Sequence, residues 1–185
     1  MGEITQANSV SPELLAKGSD LCVECGLCCK GFIHNYAVLY DDEIERADRL
    51  NLDHFRSENK KSEDESADAG TSYAFRLPCL CHQDGKCSVY PDRPRVCGEY
   101  KCDVLVRFLE REVSFEESQA LVRETLRLVE NVERYMELST VGKSVWQAVE
   151  EFCSAHDNSE EFRRKHALFL LDVKKLERLL PRFEA

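Results

Sequence analysis

The sequence predicts an α+β fold, predominantly helical, in which a cysteine-rich metal module with short strands packs on a C-terminal helical region. Three observations predict it. Nine of the ten cysteines fall between Cys22 and Cys102. Short runs in that stretch alternate large and small side chains with the period of a strand. Beyond residue 104 the apolar residues recur at steps of three and four, the spacing of one helix face. A chain of 185 residues, 43% hydrophobic and 32% charged, is long enough to bury a core. The expected division is a cysteine-cluster module over 20–104 and a helical region over 105–185.

Within the first half, Cys22 to Lys30 reads as a cysteine-rich turn region. Phe32 to Tyr40 alternates Phe32, Tyr36, Val38 and Tyr40 in a short strand pattern. Asp41 or Asp42 can cap a short helix through about Leu50, with acids where the helix dipole prefers them. The run SENKKSEDESADAG, from Ser57 to Gly70, offers almost nothing to bury and is expected to be a mobile surface loop inside the module. Thr71 to Leu77 reads as another strand ending at Pro78. Asp84-Gly85 then marks a turn before a brief strand from Cys87 to Tyr90. A helix is expected from about Arg93 to Arg95 onward, because proline suits a first turn.

In the second half, Val104, Leu105, Phe108 and Leu109 share a helical face. Ser114 followed by Glu117 is a capping-box pattern, opening a helix to about Leu138 with Leu121, Leu128, Val132 and Tyr135 along one stripe. A third helix spans roughly Lys143 to His156 and carries Trp146 as a packing anchor. Asn158 with Glu161 repeats the capping pattern. Phe162, His166, Phe169, Val173, Leu176 and Leu180 follow at steps of 4, 3, 4, 3 and 4, until Pro181 stops the pattern.

Composition narrows the function classes. With 25 basic and 35 acidic residues the formal charge is −10, the wrong sign for a surface that tracks phosphates, so nucleic acid is not an expected partner. Residues 1–19 lack a basic start followed by an apolar stretch, and no later segment approaches the roughly 20 apolar residues that span a bilayer. Gln6 stands where a myristoylation signal wants Ser or Thr. No membrane contact is expected, and a cytoplasmic location is expected, where thiols stay reduced and bind metal rather than one another.

The first cysteine group is Cys22, Cys25, Cys28 and Cys29, a CxxCxxCC string. A CxxC pair suits metal because a tight turn brings both thiolates to one side, where backbone N–H groups can donate to the sulfurs. Gly26 follows the second cysteine, where such a knuckle needs positive φ. Neighbours Cys28 and Cys29 point different ways, which suggests two centres or one cluster. The second group, Cys79, Cys81, Cys87, Cys97 and Cys102, is spread over PCLCHQDGKCSVYPDRPRVCGEYKC. Zinc takes four ligands in a closed site and iron–sulfur cubanes also take about four cysteines, so eight thiolates would serve two sites. Four thiolates around divalent zinc carry a net charge of about −2. Lys30, Lys86, Arg93, Arg95 and Lys101 therefore read as compensation for sulfur charge. His34 and His82 are less suited as ligands where thiols are in excess. His166 reads as a core histidine and Cys153 as a buried spectator.

The strings CVECGLCC and PCLCHQDGKCSVYPDRPRVCGEYKC resemble the CxxCxxCC, or YkgJ-like, family of zinc- or iron-chelating cysteine-cluster proteins. The resemblance covers about Cys22 to Cys102. It includes a Gly-x-Cys-x-x-Tyr-x-x-Arg-Pro-x-x-Cys stretch, supplied as Gly85, Cys87, Tyr90, Arg93, Pro94 and Cys97. By position it implies eight ligands: Cys22, Cys25, Cys28, Cys29, Cys79, Cys87, Cys97 and Cys102. Cys81 is an addition, so the choice between Cys79 and Cys81 stays open. Arg93 is expected to support the sulfurs or to pair with Asp84, Asp92 or Glu99. Similar cysteine regions occur in proteins resembling flagellin lysine methylases, which allows a peptide-modifying role. The expected function is chelation of zinc or iron, in one or two sites or as an iron–sulfur cluster. The alternatives are an iron–sulfur redox or peptide-modifying enzyme component, and a structural zinc module whose C-terminal helices bind a protein partner. No catalytic dyad or carboxylate pair is identifiable.

Overall fold

A computed structural model describes residues 10–57, 73–136, 145–155 and 159–185. Its first helix, α1 (Pro12–Cys25), begins where Ser11 accepts a hydrogen bond from the Leu14 N–H and proline occupies the first turn. It ends at Gly26, which adopts φ +59° and donates its N–H to the Cys22 carbonyl. Cys22 and Cys25 thus ride on the last turn of a helix, which corrects the expectation of an irregular turn starting at Cys22. The Ser-Pro start and the Gly stop bracket a stretch whose apolar stripe is too weak to announce itself. Gly18 lets α1 approach its neighbour: a Cβ there would meet the Leu105 side chain at 3.1 Å.

Two small antiparallel sheets follow. β1 (Tyr36–Leu39), β2 (His54–Arg56) and β3 (Tyr73–Arg76) form a sheet in the order β1-β3-β2, with Tyr36 opposite Arg76 and His54 opposite Phe75. Between β1 and β2 a 3-10 turn, Asp41–Glu43, leads into α2 (Ile44–Arg49); Tyr40 holds the N-cap position of the turn and Glu43 that of α2, so neither expected aspartate is the cap. β4 (His82–Gln83) and β5 (Lys86–Cys87) pair around Asp84-Gly85, both with positive φ, as the hairpin signal predicts. The strand expected to reach Tyr90 stops at Cys87, because Pro91 initiates a 3-10 turn over Tyr90–Asp92. α3 (Arg95–Glu99) completes this half. The acidic run 57–70 lies outside the described residues, Ser57 apart.

The second half is helical. α4 (Asp103–Leu109) buries Val104, Leu105 and Phe108. α5 (Phe115–Met136) opens with the capping box realised: Glu117 N–H donates to Ser114 Oγ at 3.1 Å, and Ser114 N–H donates to the Glu117 carboxylate at 2.8 Å. α6 (Val145–Ala155) follows, with the Trp146 side chain outside the described residues. α7 (Glu160–Lys165) is capped by Ser159, which accepts from the Phe162 N–H; the expected cap, Asn158, lies outside the described residues. α8 (Ala167–Leu179) ends in a 3-10 turn containing Pro181. The helix breaks at His166, yet Phe162, His166, Phe169, Val173, Leu176 and Leu180 are all buried, so the stripe runs through the interruption. His166 Nδ1 shares a hydrogen bond with the Tyr135 hydroxyl inside a cluster with Phe152, Phe162 and Phe169.

One apolar core spans both halves. Leu21, Leu27 and Phe32 pack with Val122, Leu128, Val129 and Val132 of α5 and with Phe169, Val173 and Leu176 of α8. Leu39, Ala47, Leu52, Phe75, Leu77 and Cys81 form a smaller core under the three-stranded sheet. Glu24 binds α1 to α5 by accepting from Gln119 Nε2 and Arg123 Nε, both at 2.7 Å. Among the described residues no helix is long and apolar enough to cross a membrane.

Leu128 is fully buried, so Leu128→Ala leaves a cavity between packed helices. It is expected to lower unfolding stability by about 2–5 kcal/mol, read from urea denaturation of the purified chain.

Candidate metal centre

All nine cysteines from Cys22 to Cys102 line a single cavity of about 640 Å³; Cys153 does not, and lies partly buried on α6 against the main core. Six segments bring them there. α1 delivers Cys22 and Cys25. The turn after Gly26 delivers Cys28 and Cys29, closed by Lys30 N–H to the Gly26 carbonyl and Gly31 N–H to the Cys28 carbonyl. The loop leaving β3 delivers Cys79, whose N–H donates to the Cys29 carbonyl at 2.8 Å, and Cys81; the hairpin adds Cys87. α3 carries Cys97, and Cys102 holds the N-cap position of α4. The C-terminus braces this last position: Asp103 N–H donates to the Glu184 carbonyl and the Tyr100 hydroxyl to the Phe183 carbonyl.

All ten cysteines are free thiols. Burial, reinforced by neighbouring sulfurs, pushes Cys22 and Cys29 up to about 11 and Cys25, Cys79 and Cys97 up to about 12. Cys28 rises as well, through burial and then the sulfurs of Cys25 and Cys102. Solvent tempers the effect at Cys22 and Cys97, which stand exposed on the cavity wall. Backbone donors oppose it elsewhere: the Leu27 N–H at the Cys25 sulfur and the Cys81 N–H at the Cys79 sulfur. At Cys102 the N–H groups of Val104 and Leu105 face the sulfur, short of a full cap hydrogen bond. Such a cluster holds protons at neutral pH unless a cation takes their place.

The donor set fits a soft transition metal, and zinc and iron both accept all-thiolate ligation. Among the described residues, no three His, Cys, Asp or Glu side chains already stand at the spacing that holds a metal ion. The thiols ring the cavity without converging on a point.

Of the five cations expected to compensate sulfur charge, only Arg93 lines the cavity. Its guanidinium stacks 3.7 Å from the Tyr90 ring centroid, donates to the Tyr90 carbonyl and draws down the Cys22, Cys29 and Cys97 thiols. Two of the three acids offered as its partners are engaged elsewhere: Asp92 accepts from Arg46 at 2.5 Å and Glu99 from the Tyr40 hydroxyl at 2.7 Å. Arg95 pairs with Asp42 and Glu43, and Lys30 with Glu133. In so acidic a chain, two of the cations adjacent to cysteines in sequence are captured by carboxylates.

His34 lies exposed at the rim, edge-on to Tyr100 at 5.1 Å. His82 covers Gly26 so closely that a Cβ there would sit 2.6 Å from Nε2, which doubles the need for glycine. That Nε2 is buried without a hydrogen-bond partner, and burial followed by the Lys30 charge lowers the His82 pKa, so the ring stays neutral. Tyr100 was not singled out from the sequence. It lines the cavity, and burial followed by Cys28 and Cys102 pushes its phenol up. Its place two residues before Cys102 was the available signal.

A wall of nine thiols in a helical α+β scaffold defines a cysteine-cluster protein. The family model CxxCxxCC, described as "Putative zinc- or iron-chelating domain", matches residues 21–163, and the chain belongs to that family. The match runs past Cys102 through α5 and α6 into α7, farther than the cysteine motifs reach. No curated protein and no solved structure matches the chain.

A thiol pKa raised by folding means that the folded state keeps more protons than the unfolded one above about pH 8.5, so stability falls as pH rises through that range. Reduced, metal-free protein is expected to lose stability between about pH 9 and 12. Its ultraviolet thiolate absorbance is expected to appear at higher pH than in the urea-unfolded chain; coincident curves contradict the burial of these sulfurs.

Proposed function

We propose that this protein chelates zinc or iron through its cysteine cluster and uses the bound metal to lock the cysteine half onto the helical half. The observation that carries the reading is the gathering of nine thiols, from six segments of chain, around one cavity that excludes the tenth. The residues that would hold metal are Cys22, Cys25, Cys28, Cys29, Cys79, Cys87, Cys97 and Cys102. Cys81 is turned toward the smaller core, where its thiol donates to the Leu50 carbonyl at 3.6 Å. When bound, the metal supplies charge neutralisation and cross-linking between α1, the hairpin, α3 and α4, and so contributes to folding free energy. The chain's own residues orient the sulfurs by backbone N–H groups, place Arg93 against the anionic cluster and keep the deeper thiols from bulk water. A reducing compartment such as the cytoplasm keeps the thiols competent.

An iron–sulfur cluster is the second reading, and the breadth of the cavity favours it. A polynuclear core sets its thiolates farther apart than a single ion does, and these thiols are spread around a volume of about 640 Å³.

Purification with oxygen excluded, followed by elemental analysis and a visible spectrum, tests both. Colourless protein with about two zinc per chain is the expected result for closed zinc sites, and colour that bleaches on reduction for the cluster. Cys153→Ser is expected to leave metal content unchanged. Protein that carries no transition metal, with its sulfurs joined to one another, overturns the proposal.

A further inference from the structure

We infer that the cysteines form two separate centres of four thiolates, divided at the Cys28–Cys29 peptide bond: Cys22, Cys25, Cys28 and Cys102 make one, and Cys29, Cys79, Cys87 and Cys97 the other. The inference rests on the metal-binding reading above and assigns each sulfur within it.

The first group is built on α1. Cys22 and Cys25, three residues apart on its last turn, share a face. The turn through Gly26 returns Cys28 to the neighbourhood of Cys25, and α4, packed against α1, presents Cys102 from its N-cap. Among the sulfurs, Cys102 is the strongest electrostatic neighbour of both Cys22 and Cys25, and for Cys28 it follows only Cys25.

The second group is built on the backbone bond from Cys79 N–H to the Cys29 carbonyl. The Cys79 carbonyl accepts from the His82 N–H, and His82 pairs across the hairpin with Cys87, so Cys29, Cys79 and Cys87 are held by one short relay of hydrogen bonds. Cys97, on α3, has Cys29, Cys79 and Cys87 as its electrostatic neighbours. For Cys29 the strongest is Cys87. Cys29 alone also acts on members of the first group, as its position one residue from Cys28 requires.

Two further features agree. The N–H two residues after Cys25 and the N–H two residues after Cys79 each point at the preceding sulfur, the same knuckle arrangement in both groups. The Cys81 sulfur is also an electrostatic neighbour of Cys79 and Cys29, and what favours Cys79 over it as the ligand is that Cys81 supplies one of those donors from its backbone and gives its thiol to the Leu50 carbonyl. Arg93 acts on Cys22 of one group and on Cys29 and Cys97 of the other. A single cation between two anionic centres, each of about −2 when it holds divalent metal, lowers their mutual repulsion.

Cadmium titration of the reduced, metal-free full chain, followed by cadmium–proton correlation NMR, assigns the ligands without substitution. The expected spectrum has two cadmium resonances. One is coupled to the β-protons of Cys22, Cys25, Cys28 and Cys102, the other to those of Cys29, Cys79, Cys87 and Cys97, and Cys81 is coupled to neither. One cadmium coupled to both Cys28 and Cys29, or Cys81 in place of a named ligand, overturns the partition while leaving metal chelation standing. Failure to bind cadmium overturns chelation itself. Elemental analysis of variants gives an independent reading: Cys28→Ser and Cys29→Ser are each expected to lose about half the bound metal and the double variant all of it. Complete loss in either single variant contradicts the division.

Discussion

Crowding nine thiols around one cavity is the constraint on which the rest of this structure depends. As protonated groups they are tolerable apolar side chains, but as thiolates Cys25, Cys28 and Cys79 would be buried like charges, penalised by desolvation and by neighbouring sulfurs. Protons or cations must balance them, and a soft divalent metal does so while converting the repulsion into coordination. Arg93 offsets part of that charge but is one guanidinium against nine sulfurs.

The scaffold is arranged to bear this load. α1 is anchored along its length, by Gly18 against α4 and by Glu24 against α5, so that its final turn presents Cys22 and Cys25 from a fixed base. The cysteine half contributes Leu21, Leu27 and Phe32 to a core made mainly by α5 and α8. The C-terminal Phe183 and Glu184 carbonyls hold the chain on either side of Cys102. Without α5 and α8 the apolar side of the cysteine loops would face water.

Much of this was legible in the sequence wherever a local rule had no competitor. The Ser114–Glu117 capping box, the Asp84-Gly85 hairpin, the positive φ of Gly26 and the buried stripe from Phe162 to Leu180 each follow from a few neighbouring residues. What was not legible depended on distant partners. β2 is three residues long and exists because β3 pairs with it. The helical setting of Cys22 and Cys25 was hidden because the cysteine spacing suggested a turn, while the Ser11-Pro12 start lies ten residues upstream. The separation of Arg93 from the other cations depended on which carboxylates folding brings to Arg46, Arg95 and Lys30. Local spacing gives no sign of the backbone bond from Cys79 to Cys29, which joins the two cysteine groups across fifty residues.

X-ray absorption at the metal edge of protein isolated with oxygen excluded tests the central claim most directly. A thiolate-held ion predicts a first shell made of sulfur alone, at about 2.3 Å if the metal is zinc. A shell of oxygen or nitrogen, or the lack of any metal edge, would contradict it.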